Sequence, residues 1–163
     1  MFFMFRNRYL SRFNCRDGYM GMNSYADKTV VERIGGVSLS EQPTLIETIM
    51  AGLPYRALLE LQAIFQIPNS EIGKALLITP STMSRRKARG YLRPDESDRV
   101  IRLARVLDLA ISMMNGNEQS AVMWMLAPRE IFNGESPLMR SGTEIGTRDV
   151  EDLIGRIRNG VFS

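Results

Sequence analysis

The chain has 163 residues, 44% of them hydrophobic and 24% charged, with a net charge of +3, a single cysteine and no histidine. This is the balance of a soluble globular protein of one domain or two small ones, and no apolar run approaches the roughly 18 residues that a membrane span needs. The missing histidine excludes imidazole acid–base catalysis, Ser-His and Cys-His nucleophiles and the usual imidazole metal sites, while the lone Cys15 can form no internal disulfide, which fits a reducing, cytoplasmic setting. No cofactor, no metal and no enzymatic activity are expected. Ser84 and Lys87 match a Ser-x-x-Lys spacing, but the arginines between and around them read as a basic surface.

The charge is unevenly spread. Residues 79–93 carry Arg85, Arg86, Lys87, Arg89 and Arg93 and no acid, whereas residues 94–163 carry eight basic and eleven acidic residues. A short basic segment in a slightly acidic body is the footprint of a phosphate-binding face, or else a solvated helix face. Residues 1–22 mix aromatics with Arg6, Arg8, Arg12 and Arg16 without a clear period. Their apolar residues precede the arginines, the reverse of a secretory signal. They read as a poorly ordered tail, a basic arm for DNA or membrane, or translated sequence upstream of Met20 or Met22. Residues 23–43 read as linker, so residues 1–43 together form an N-terminal segment without regular structure.

A helical pattern begins at Thr44, with Leu45, Ile46, Ile49 and Met50 on a short helix stopped by Gly52. Pro54 opens a second helix at its tolerated first position, with Ala57, Leu58, Leu61, Ile64 and Phe65 on one face, and Pro68 closes it. Ser70 caps a short third helix, Leu77-Ile78 form a turn, and Thr79 caps a fourth helix that starts at Pro80 and ends at Gly90. Two short helices across a tight turn, with Gly73, Leu76, Ile78 and Met83 inward, form a helix-turn-helix pattern over residues 44–95. The turn usually has glycine where Leu77 stands, because a left-handed backbone there costs a residue with a β-carbon roughly 1–2 kcal/mol. The fourth helix is expected to present Ser81, Thr82, Ser84, Arg85 and Arg86 outward near its start, where such a helix meets base edges. Arginine pairs with guanine, the serines and threonines, Thr79 included, suit phosphate or base contacts, and Lys87, Arg89 and Arg93 suit phosphates. The alternative is a degenerate motif kept as scaffold.

A longer helix follows Pro94, with Asp95, Glu96 and Asp98 near its positive end. Its apolar stripe is Val100, Leu103, Ala104, Leu107, Ala110, Ile111 and Met114, with Arg99, Arg102 and Arg105 off the stripe. Asn117 caps a further helix on which Trp124 is a core anchor. Ser136-Pro137 starts a short helix, and Thr147 is expected to cap the last one, which carries Val150, Leu153, Ile154 and Ile157 and stops at Asn159-Gly160. Phe162 either folds back on the core or stays exposed for a partner pocket.

Several phrases, in order, resemble the Xre/MbcA/ParS-like antitoxin family. They are Gly52-Leu53-Pro54; Ile78-Thr79-Pro80-Ser81-Thr82 with Ser84-Arg85-Arg86; Glu96-Ser97-Asp98-Arg99 with Arg102-Leu103-Ala104-Arg105; Trp124 with Phe132-Asn133-Gly134-Glu135-Ser136-Pro137; and Arg156-Ile157-Arg158-Asn159-Gly160-Val161. The resemblance covers about residues 45–163. It implies an all-α protein in which a Cro-like helix-turn-helix domain joins a small helical toxin-binding domain, residues 96–163. It also implies a homodimer without a cofactor that opposes a RES-domain toxin, itself similar to ADP-ribosyltransferases that act on NAD. Such an antitoxin obstructs the toxin's active site with its C-terminal part and represses its own operon by binding operator DNA. Carried onto this chain, the toxin-facing residues are Arg156, Asn159, Gly160, Val161, Phe162 and Ser163. The alternative function is a helix-turn-helix regulator whose C-terminal half only dimerises or senses a ligand.

Overall fold

A computed structural model describes residues 28–36, 40 and 42–160, so the basic segment 1–22 and Cys15 lie outside the described residues. The first described helix, α1 (Val30–Gly35), falls where linker was expected, and it is buried through Val30, Val31 and Ile34. Too short to show a period, it is held from a distance. Asp108, 78 positions away, accepts the amide of Val30 at 2.7 Å and that of Val31 at 3.2 Å, so a carboxylate satisfies free donors at the helix start.

Burial raises the Asp108 pKa above its ordinary 3.8, and the two amides and Arg33 offset this only in part. A carboxyl group with a raised folded-state pKa contributes stability that is complete below the unfolded pKa and is lost as pH rises through the folded value. Asp108→Asn keeps one acceptor and removes the titration. The stability of the parent relative to this variant is therefore expected to fall as pH climbs from about 3.8 toward neutrality, and to stop changing above the raised pKa. Urea unfolding of both proteins across that range checks it; a difference that grows with pH would refute the sign.

The helices α2 (Gln42–Ala51), α3 (Tyr55–Phe65), α4 (Asn69–Ala75) and α5 (Pro80–Arg89) follow. Pro54 and Pro68 each stand one residue before a helix, in extended backbone, rather than inside it. That leaves Tyr55 free to donate its amide to the Gly90 carbonyl at 2.8 Å, and Leu92 donates to the Leu53 carbonyl at 2.8 Å. These bonds tie the start of α3 to the end of α5. Gly52, at φ +89°, makes the crossing possible, since a Cβ there would stand 2.4 Å from the Leu92 carbonyl oxygen.

The 20-residue α6 (Pro94–Met113) is the central element, packed against α1, α2, α3, α7 and α9. Val100, Leu103, Ala104, Leu107 and Ala110 are buried as the stripe predicts, and Ile101 and Val106 are buried as well, because α6 is covered on more than one side. α7 (Glu118–Leu126) is capped by Asn117, and a single 3-10 turn (Glu130–Phe132) leads to α8 (Pro137–Arg140), capped by Ser136. The last helix, α9 (Glu144–Arg158), is capped by Thr143, not Thr147. Thr147 is instead fully buried, its hydroxyl donating to the carbonyls of Ser141 and Thr143. One continuous apolar core runs from Val30 to Ile154. Among the described residues no strand forms and no helix is long and apolar enough to cross a membrane.

Candidate functional site

The helix-turn-helix is α4, the Leu77-Ile78 turn and α5. Gly73 is where the two helices meet: a Cβ there would lie 2.8 Å from the Met83 sulfur and 3.0 Å from the Ile78 carbonyl. Leu76, Ile78 and Met83 are buried beside it, as the motif requires. Leu77 takes the left-handed conformation at φ +53°. The turn therefore keeps the usual shape and carries the strain of a β-carbon, roughly 1–2 kcal/mol. Its carbonyl lies 3.4 Å from the Arg99 guanidinium of α6, and its side chain passes over Gly142 in the α8–α9 corner.

Thr79 caps α5 by accepting the Thr82 amide, and its hydroxyl also lies within hydrogen-bonding distance of the Ser81 and Thr82 hydroxyls. Ser81, Ser84, Arg85, Lys87 and Arg89 are exposed along this helix and Thr82 is half-buried. Arg86 departs from expectation. It does not face outward; its side chain is 5% exposed and lies against α6, where its Nε donates to both carboxylate oxygens of Glu96, at 2.7 and 2.9 Å. Glu96, equally buried, also accepts the amide of Arg93. Arg86 thus fixes how α5 sits on α6 and is unavailable to a base edge.

The remaining cations divide sharply. Arg33, Arg56, Lys74, Arg93, Arg99, Arg102, Arg105, Arg140 and Arg148 are each ion-paired with a carboxylate. Arg129 lies 4.9 Å over the ring of Trp124, which is buried as the core anchor expected, and partial burial lowers the Arg129 pKa. Among the described residues the cations without a carboxylate or ring partner are Lys28, then Arg85, Lys87 and Arg89 on α5, then Arg156 and Arg158 at the end of α9. Asn159 and Gly160 are exposed just beyond them, with Gly160 at φ +66°. Val161, Phe162 and Ser163 lie outside the described residues.

Between α4 and α5 on the outer side runs an open groove of about 900 Å³. Tyr55, Leu77, Pro80 and Met83 line it together with Ser70, Lys74, Thr79, Ser84 and Lys87. Sequence reasoning singled out Thr79, Ser84 and Lys87 of this lining through the motif, but not Lys74, and it took Ser70 for a helix cap although Ser70 lies inside α4. It missed the Arg86–Glu96 pair, although a glutamate three positions after Arg93, at the start of a helix, is a known signature of a side chain reaching back to the capping amide.

A helix-turn-helix whose second helix carries free cations, set on a long shared helix with a helical C-terminal extension, defines a small helix-turn-helix protein with an appended domain. Two family models divide the chain in the same way: the antitoxin Xre-like helix-turn-helix domain matches residues 44–105, and the antitoxin Xre/MbcA/ParS C-terminal toxin-binding domain matches residues 98–160. The two spans overlap on α6. The chain is 33% identical over 129 residues to antitoxin Xre of Yersinia enterocolitica, an alignment covering 78% of this chain and 87% of that one. It is also 33% identical over 132 residues to antitoxin Xre of Photorhabdus laumondii, covering 80% and 89%. Antitoxin Xre of Pseudomonas putida matches over 66 residues at 35%, covering 40% of this chain and 41% of that one. The chain belongs to the Xre/MbcA/ParS antitoxin family.

Proposed function

We propose that this chain is a cytoplasmic, non-catalytic homodimer that neutralises a toxin of the RES type and represses its own operon. Residues 96–163 hold the toxin, with Arg156 and residues 159–163 obstructing its active site. Residues 44–95 bind operator DNA through α5, with Arg85 toward a base edge and Lys87 and Arg89 toward phosphates. The observation that carries the reading is the distribution of free cations. In a chain that pairs most of its described arginines, those left over concentrate on the exposed face of α5 and at the end of α9. A cation left without a carboxylate is available to an external anion, and on α5 the exposed hydroxyls of Ser81 and Ser84 add further donors for a nucleic-acid backbone.

The two faces are expected to be separable. Arg85→Ala is expected to weaken operator binding by about 10-fold or more, and replacing Lys87 and Arg89 as well is expected to flatten its salt dependence. Neutralisation should be untouched by either change. Fluorescence anisotropy at several salt concentrations reads the first, and growth of bacteria co-expressing the toxin reads the second. In the same growth assay, removing residues 159–163 is expected to abolish rescue while leaving operator affinity unchanged. A toxin still neutralised after that removal would overturn the blocking role of the tail. An operator affinity independent of salt would overturn the DNA-binding one.

A further inference from the structure

Leu77 is doubly out of place for a residue with only a structural role. It occupies a left-handed turn position that glycine would fill without strain. Yet the residue remains 57% exposed although its side chain passes over Gly142, so the fold recovers little by burying it. Strain held at an exposed apolar residue is a sign of a contact made with something else. The residue stands on the open groove between α4 and α5, beside Pro80 at the first turn of the recognition helix. The lining of the groove is mostly apolar, and it also includes Lys87, free of any ion pair among the described residues, and the hydroxyls of Ser70, Thr79 and Ser84.

We propose that Leu77 is a specificity-determining residue: with Pro80 it forms an apolar notch that takes the C5-methyl group of one thymine in each operator half-site, while the hydroxyls and the lysine of the groove follow the neighbouring phosphates. The inference rests on the DNA-binding reading above and adds to it which base is read without a hydrogen bond. The occupant is duplex DNA rather than a protein because the lining includes the free Lys87 and three hydroxyls, and α5, which supplies Ser84 and Lys87, also carries the free Arg85 and Arg89 on its exposed surface. Thymine alone among the four bases offers a methyl group in the major groove, and apolar contact is how a side chain distinguishes it.

The test uses the full chain and duplexes that it selects from a random pool. Each thymine of the selected site is replaced in turn by deoxyuridine, which removes the methyl group and nothing else. The parent protein is expected to lose about fourfold in affinity at one thymine per half-site, the size of one methyl group taken out of contact. Leu77→Gly and Leu77→Asn, both suited to the left-handed turn, are expected to melt at or above the parent temperature and to be indifferent to that replacement. Equal losses for parent and variants at every thymine would overturn the proposal. So would a Leu77→Gly protein that reads DNA as the parent does but no longer rescues growth from the toxin, which would assign the groove to a protein. If the parent selects no duplex and shows no salt-dependent binding, the DNA-binding reading itself fails, and Leu77 fails with it.

Discussion

The Glu96→Ala variant is expected to unfold about 3–5 kcal/mol more easily than the parent, because it leaves the Arg86 guanidinium charged in a site where its side chain is only 5% exposed. Urea unfolding measures the loss, and operator affinity should fall with it, since the pair fastens α5 to the start of α6. Stability alone does not say whether Arg86 also touches DNA. The double variant Arg86→Met with Glu96→Met separates the two. Replacing a buried ion pair by apolar side chains of similar volume is commonly neutral or stabilising, so this protein should fold and still bind operator DNA. If it folds but loses operator binding far beyond what Arg85→Ala does, Arg86 contacts DNA after all, and the positioning role given to it here is wrong.

Arg86 also shows where the sequence was legible and where it was not. The helix-turn-helix rests on local rules: a hydroxyl cap at Thr79, proline at the first position, Gly90 past the end, and a small residue where the helices cross. Each is decided within a few residues, and each is readable. Two adjacent arginines look alike on such rules, but Arg85 is exposed and Arg86 buried. The difference comes from a carboxylate ten positions away on the next helix. α1 was missed for the same reason: six residues carry no period, and the group that holds its first turn comes from Asp108. At α9 the local pattern suggests Thr147 as the cap, but Thr143 accepts the Gly146 amide and Thr147 is buried one turn further on. The cations of α9 were legible as residues, but their freedom was not, because it depends on which carboxylates α6 and α9 direct at one another.

That same corner carries the other large effect. Gly146 lies in the first turn of α9, and a Cβ there would stand 1.9 Å from the carbonyl oxygen of Arg140 and 2.9 Å from its carbon. Both neighbours are backbone, so no rotamer relieves the clash; α9 must move away from α8. Such a shift would pull on the ion pairs that hold α9, those of Arg140 with Asp149, Arg102 with Glu144 and Arg105 with Glu151. Gly146→Ala is therefore expected to lose about 3 kcal/mol or more. It should also cease to protect cells from the toxin, since Arg156 rides on the displaced helix. Gly155 lies in the same helix, where a Cβ meets nothing within 4 Å. There the identical substitution removes only the conformational freedom of glycine in a helix interior, and Gly155→Ala is expected to stabilise by about 0.5–1 kcal/mol. Thermal unfolding of the two variants side by side decides the matter. Opposite signs support the close backbone contact at the α8–α9 corner; a Gly146→Ala protein as stable as the parent would mean that α8 and α9 do not meet in this way.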